Sequence, residues 1–390
     1  MLGLRLRLLA FALVLIGYMT LTLSLPLSSA LSTLAFLTSD KVHTGISILF
    51  FGFSLSAIVL SRLADMLGIS KVLLKAQCLS ILGLLVLACC YTSWQWYVGC
   101  LCVGLGTGCY SSISRMILAR HAKDSASLRR ALTLFSLLLV FSPILSTHLA
   151  MLSLMYNWRL AYALMALIEL ALMFGVWFIL SSNPLVESKS NTESFLQGYL
   201  YCLKKRIFLF NLVLVGLTIS LYIKVFQGNS YLIFMQAIHL GAASISYGMA
   251  SLSVCYVLGI LSCRWLPVSA PIKLIRLSLC VLLLVSAAIL YQDPYSLLLL
   301  LALCLSSYCL GFLVPLSTSS GLKVIEHSFG AASALFTCSF ALVSAIFALV
   351  HQILSFKIIH FVAVMLMGCS IVLIMSACVL MYLTLPKKIA

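Results

Sequence analysis

Long apolar runs, separated by short polar breaks, make up almost the whole chain. Twelve runs have the length of a bilayer-crossing helix: 8–31, 45–62, 72–91, 96–118, 131–152, 159–181, 207–232, 246–264, 274–291, 295–320, 330–352 and 359–384. A hydrocarbon core is covered by about 20 apolar helical residues. Only one polar interval is long, at 181–206, and it divides the runs into two sets of six. The pattern predicts an N-terminal bundle over 1–181, a linker over 182–206 and a C-terminal bundle over 207–390. Inside the linker, Phe195, Leu196, Tyr199, Leu200 and Leu203 share one helical face. That spacing predicts a short helix lying on the membrane surface. The other breaks are short, so successive helices should run antiparallel. The expected class is an all-α polytopic membrane protein with twelve transmembrane helices in two six-helix bundles.

Composition agrees. Of 390 residues, 63% are hydrophobic and 8% charged, more apolar surface than a soluble domain can bury. The formal net charge of +16 invites a nucleic-acid reading, but its distribution does not. With the N-terminus inside and the helices alternating, the outside holds only Lys41, Arg159 and Lys357, and Lys224 falls within a span. Every other basic residue falls inside. This is the positive-inside bias, with added attraction to anionic lipid. Arg5 and Arg7 before an apolar run, with Ser28-Ser29-Ala30 beyond it, could mimic a signal peptide. The run exceeds the usual h-region of about 7–15 residues, and removing it would invert the charge bias. It is read as the first span. The fifteen cysteines show no metal-ligand spacing with histidine and read as small packing residues.

One break is unusually charged. Ser61-Arg62-Leu63-Ala64-Asp65-Met66-Leu67-Gly68-Ile69-Ser70-Lys71 separates the second and third spans. Its Leu-Ala-Asp-x-x-Gly core resembles the loop in this position in the major facilitator superfamily of secondary transporters, Gly-x-Leu-Ala-Asp-Arg-x-Gly-Arg-[Arg/Lys]. Asp65, Gly68 and Lys71 keep the skeleton, whereas Ser61, Met66 and Ile69 depart from it. The resemblance implies the major facilitator fold. It also implies a latch in which Asp65 pairs with an arginine at the end of the fourth span, matched here by Arg115, and faces the start of the eleventh span near Ser328-Phe329-Gly330-Ala331. A carboxylate gains from a cation and from a helix N-terminus. In that family these contacts hold the halves closed on the inside in the outward-facing state.

Further stretches resemble the Bcr/CflA drug-resistance branch. Ser114-Arg115-Met116-Ile117 resembles its Ala-Arg-Ala-Ile, and Phe141-Ser142-Pro143-Ile144-Leu145 its Leu-Ala-Pro-Ile-Leu. Asn157-Trp158-Arg159 stands where it has Gly-Trp-Arg, and Gly330-Ala331-Ala332-Ser333-Ala334-Leu335 resembles its Gly-Thr-Ala-Ser-Ala-Leu. The matches fall in both halves in the right order, and imply export of drug-like molecules or metabolites against proton entry. Cys100 stands where the branch has an arginine. Ser142, Ala150 and Met151 replace its fifth-span glycines, and the first span carries no acid.

Few residues carry chemistry within the spans. Glu169 is the only acid deep inside one, which makes it the candidate proton carrier; its bland alternative is a carboxyl group hydrogen-bonded to a neighbouring helix. His148 and His351 are further titratable groups, and more often such histidines are packing residues. Lys224, well inside the seventh span, either faces a cavity or snorkels to the membrane border. Tyr222, Gln227 and Tyr231 lie near it, and Tyr18 in the first span could add a hydrogen-bonding edge to a substrate site. A lysine without a carboxylate would favour an anionic cargo such as a carboxylate siderophore. Gly104-x-Gly106-x-Gly108 sits inside a span and reads as close helix packing, not as a nucleotide fingerprint. Pro26, Pro143 and Pro315 can kink their spans. Gly-x-Ser-x-Gly, His-x-x-x-His and paired intramembrane aspartates are all missing from the sequence, which argues against an enzyme.

The expectation is therefore an inner-membrane secondary transporter with both termini cytoplasmic, acting as a monomer by alternating access. Its partners would be a small-molecule substrate, protons and membrane lipids, with no nucleic acid, cofactor, catalytic residue or metal. Metabolite uptake is the alternative direction.

Overall fold

The structure is a computed structural model that describes residues 2–32, 34, 36–122, 124–181, 195–222, 242–267, 271–292, 297–354 and 358–383. Fourteen helices are described: α1 Leu2–Thr22, α2 Ser24–Leu31, α3 Ser39–Leu67, α4 Ile69–Ala88, α5 Ser93–Arg120, α6 Ser125–Leu154, α7 Trp158–Ser181, α8 Phe195–Lys204, α9 Arg206–Leu221, α10 Ala242–Trp265, α11 Ile272–Gln292, α12 Leu297–Lys323, α13 Phe329–Leu354 and α14 Ile358–Leu383. Among the described residues there is no strand. Over the described residues the predicted runs fall mainly on helix, and the protein is a multi-pass membrane protein.

Local chemistry explains most boundaries. The first run is broken at Leu23, and Pro26 is the third residue of α2, in the first turn, where its missing N–H costs no helical bond. α3 ends and α4 begins at Gly68, whose φ of 97° suits glycine alone. α5 opens with a capping box, in which the Gln95 N–H donates to Thr92 Oγ1 and the Thr92 N–H to Gln95 Oε1. Its 28 residues span about 42 Å at 1.5 Å per residue, more than a bilayer core, although they are less apolar than the other spans.

The chain packs as two compact units. The first comprises residues 1–123, 137–202 and 326–337; the second comprises 124–136, 203–325 and 338–390. The first 13 residues of the 124–154 stretch thus belong to the second unit, and the beginning of α13 belongs to the first. In the first unit α5 is central, with α1, α3 and α4 against it. Its glycines allow this. A Cβ at Gly106 would lie 2.5 Å from the Ser80 nitrogen, and one at Gly104 or Gly108 would strike the Leu49 or Phe53 carbonyl of α3. The glycine series is a packing device, as the sequence suggested. An aromatic group of Trp96, Tyr162 and Trp158 fills the other end, with edge-on contacts at 6.2–6.3 Å.

The second unit uses the same device. Gly259 of α10 backs onto the Tyr308 carbonyl and Gly311 of α12 onto the Tyr256 carbonyl. Ser286 and Ser306 join α11 to α12 at 2.7 Å. In both units hydroxyls repeatedly bond the carbonyl four residues back, as Thr107, Ser114, Thr218 and Ser370 do. This satisfies them where water is absent. Large apolar side chains such as Phe51, Leu82, Trp177, Phe178 and Met375 stay exposed on the outer faces, as lipid contact requires.

Candidate functional site

Two polar clusters lie within the first unit. The first gathers at the α3–α4 turn. Asp65 is 2% exposed and accepts from Arg120 Nη2 at 2.9 Å through Oδ1. Through Oδ2 it accepts from the Ala331 N–H at 3.2 Å, with Arg62 Nη1 at 3.7 Å. The amide is in the first turn of α13, so a helix N-terminus faces the carboxylate. Gly330 makes the approach possible: a Cβ there would strike the Ser61 carbonyl and lie 2.7 Å from Asp65 Oδ2.

Arg62 is wholly buried. Nη1 donates to Ser328 Oγ at 3.1 Å and Nε to the Phe195 carbonyl at 3.3 Å. It thereby ties α3 both to the residue before α13 and to α8. Gly198 gives the guanidinium its room, since a Cβ at that position would collide with it. Tyr199 donates to the Ile58 carbonyl, and Tyr201 stacks on His327 at 3.9 Å. Ser328 holds φ at 61°, a conformation uncommon outside glycine, at the hub of these contacts.

The expected Asp65–Arg115 pair does not form. Arg115, 3% exposed, donates instead to the Ser333 carbonyl at 2.9 Å and to Thr337 Oγ1 at 3.1 Å. Arg120 takes its place at Asp65. The reason is helix phase and height: Arg120 lies five residues further on, in the last turn of α5, level with the α3–α4 turn. Asp65 and Arg115 are both engaged with the 328–337 stretch, but at different places on it. Gly68 stands beside the cluster as the turn that lets α4 reverse away from it.

The second cluster surrounds Glu169 of α7, which is fully buried. Oε2 accepts from Tyr110 OH at 2.8 Å; Oε1 accepts from Thr20 Oγ1 at 3.0 Å and from Ser80 Oγ at 3.5 Å. The donors come from α1, α4 and α5, so Glu169 faces the interior of the unit. Thr20 Oγ1 also lies 2.9 Å from the Ile16 carbonyl. A hydroxyl has one proton. When Thr20 gives it to Ile16, its oxygen is free to accept from a protonated Glu169; otherwise it donates to the ionised carboxylate. The cluster can therefore accommodate Glu169 with or without its proton.

The other expected residues that are described fall in both units. Tyr18 is half-buried, edge-on to Phe53 at 5.8 Å. Tyr222 is buried in the second unit and stacks on Tyr256 at 3.7 Å. Lys224, Gln227 and Tyr231 lie outside the described residues. So does the side chain of His351, while His148 is exposed and bonds the Ile144 carbonyl through Nδ1 at 2.8 Å. Among the described residues no group of His, Cys, Asp and Glu could hold a metal. Sequence reasoning missed Arg120 and the role of Arg62. The only sign of Arg120 was its place in the last turn of its helix.

Apolar helices around a buried carboxyl group, with a charged turn docked on a helix start, describe a polytopic helical membrane protein. The sequence profile of the Major Facilitator Superfamily matches residues 7–349, and the chain belongs to that family of secondary transporters. Similar solved structures include the E. coli fucose:proton symporter, with a TM-score of 0.76 and 14% identity over 96% of this chain and 98% of that one. A bacterial homologue of the iron transporter ferroportin, outward-facing, gives 0.77 and 15% over 97% and 100%. The human organic anion transporter MFSD10 gives 0.69 and 13% over 97% and 99%. At such identities the likeness is one of fold. No curated protein matches the chain by sequence.

Proposed function

We propose that the protein exports a small drug-like molecule or metabolite across the bacterial inner membrane against proton entry, as a monomer with both termini cytoplasmic. Proton coupling rests on one observation: Glu169 is buried among hydroxyls that suit both of its protonation states. A carboxyl group at this depth has little purpose in holding helices together that a neutral amide would not serve. Export rather than uptake rests on the resemblance of the segments at 114–117, 141–145 and 330–335 to drug-resistance exporters.

The Asp65 cluster is the conformational latch of this reading. Arg120, Arg62 and the Ala331 amide hold Asp65, while Arg115 holds Ser333 and Thr337, and alternating access requires the 328–337 stretch to leave these partners. Cargo would meet Tyr18, Tyr222 and the Lys224, Gln227 and Tyr231 side chains. Lys224 and the lack of a first-span acid favour anionic cargo as a second reading, and one fold relative is an organic anion transporter.

The test is expression in an efflux-deficient bacterium with a panel of anionic and cationic compounds, followed by transport of any protected compound in proteoliposomes. Wild type should export it under an inward proton gradient. Glu169→Gln keeps hydrogen-bonding capacity but cannot carry a proton. It should lose gradient-driven transport, about 100-fold or more by analogy with removal of a proton-transfer group, yet retain exchange of cargo between the two sides. Full gradient-driven transport by Glu169→Gln would overturn the coupling. Protection confined to anionic compounds would move the cargo to the second reading.

A further inference from the structure

A cavity of about 410 Å3 lies entirely within the second unit, where α6, α9 and α11 begin and α12 and α14 finish. Arg129, Lys273, Arg276 and Lys323 line it, and no described acidic residue does. Arg129 and Arg276 are 5% and 6% exposed. Arg129 Nη2 donates to the Leu266 carbonyl, and Arg276 Nη2 to Ser320 Oγ at 2.9 Å. The Nε atoms of both are buried without a partner, as is Asn211 Oδ1 on the same wall.

Cations withdrawn from water and grouped without a counter-charge are unfavourable unless something negative joins them. The first unit answers this with Asp65, set between Arg62 and Arg120. The second unit's corresponding turn, Arg264-Trp265-Leu266-Pro267 through Lys273, carries no acid. Among the described residues none supplies the counter-charge to Arg129 and Arg276 here, and an anion from outside the chain would supply it. Guanidinium forks match the paired oxygens of a phosphate, and Lys273 and Lys323, both exposed, add point charges. Beyond the cations the wall becomes apolar, with Leu316 of α12 and Ala377, Leu380 and Met381 of α14.

We propose that this cavity binds a phosphate-bearing anion between Arg129 and Arg276, apart from the cargo site. The apolar wall beside the cations suits the phosphate and glycerol root of an anionic phospholipid better than a soluble phosphate, which would use the cations alone. Basic residues at the ends of spans draw such lipids.

The test uses the full chain, purified in detergent and stripped of lipid, with thermal unfolding followed by tryptophan fluorescence. Phosphatidylglycerol, phosphatidylcholine and inorganic phosphate are titrated separately at constant ionic strength. Phosphatidylglycerol should raise Tm well beyond phosphatidylcholine. Losing one charge-assisted contact should raise the concentration for half the shift by about tenfold in Arg276→Gln, Arg129→Gln or Lys323→Gln. Lys323 is exposed, so its variant keeps the test usable if an arginine variant fails to fold. A rise given equally by inorganic phosphate and weakened in the same variants supports the site and assigns it a soluble ligand. Three results overturn it: phosphatidylcholine matching phosphatidylglycerol, the three variants responding like wild type, or the exposed Lys71→Gln weakening the response as much as they do.

Discussion

Along α5, Arg115 and Arg120 are five residues apart, which turns them roughly 140° from each other and moves them about 7.5 Å along the axis. That offset decides which meets Asp65. Arg120, in the last turn, reaches Oδ1 at 2.9 Å, while Arg115 meets the Ser333 carbonyl. Both arginines were visible in the sequence, and a motif can mark that a carboxylate needs a cation without saying which one arrives. A test follows at this scale. Arg120→Gln removes a charge-assisted bond to a nearly buried carboxylate and should lower stability by about 1.5–3 kcal/mol, read as a lower Tm in detergent. Arg120→Lys should recover part of it. An unchanged Tm in Arg120→Gln would show that the ion pair contributes nothing to this state.

Among the elements, α8 carries the clearest division of faces. Leu196, Leu200 and Leu203 are 65%, 50% and 40% exposed, while Gly198 and Cys202 are buried beside Arg62 and Ser328. The sequence anticipated the apolar face from its spacing. It did not reveal that the opposite face is small because it must admit a guanidinium. An exposed apolar face on a short helix between two spans fits lipid contact. Substituting Leu196→Glu together with Leu200→Glu should lift α8 from the membrane and uncover Cys202. Maleimide labelling followed by peptide mapping should then show modification of Cys202 that wild type lacks. Unchanged labelling would argue that α8 is held by its Arg62 and Ser328 contacts alone. The broken first span has a similar lesson: Pro26 was legible, but the break at Leu23 rather than at the proline itself depends on where α2 takes its first turn.

Over the whole molecule, apolar run length and the one-sided placement of lysine and arginine carry most of the information. The proposed orientation puts the C-terminus in the cytoplasm, so a fluorescent protein fused there should fold and fluoresce, whereas an alkaline phosphatase fused there should be inactive. The reverse pair of results would invert the topology. The apolar spans among the described residues and the all-helical class could be read in advance because they depend on how far apolar residues extend along the chain, a local property. Glu169 could be recognised as the one deep acid for the same reason. Its donors could not, since Thr20, Ser80 and Tyr110 come from three other helices. Pairing across distant segments depends on helix rotation, height and spacing, which no short stretch encodes. The sequence by itself determined a polytopic helical protein, its family resemblance and where its rare charges stand. Only the tertiary structure decided which charges meet: Asp65 with Arg120, Arg62 with Ser328, and Arg129 beside Arg276 around a cavity that no described carboxylate lines.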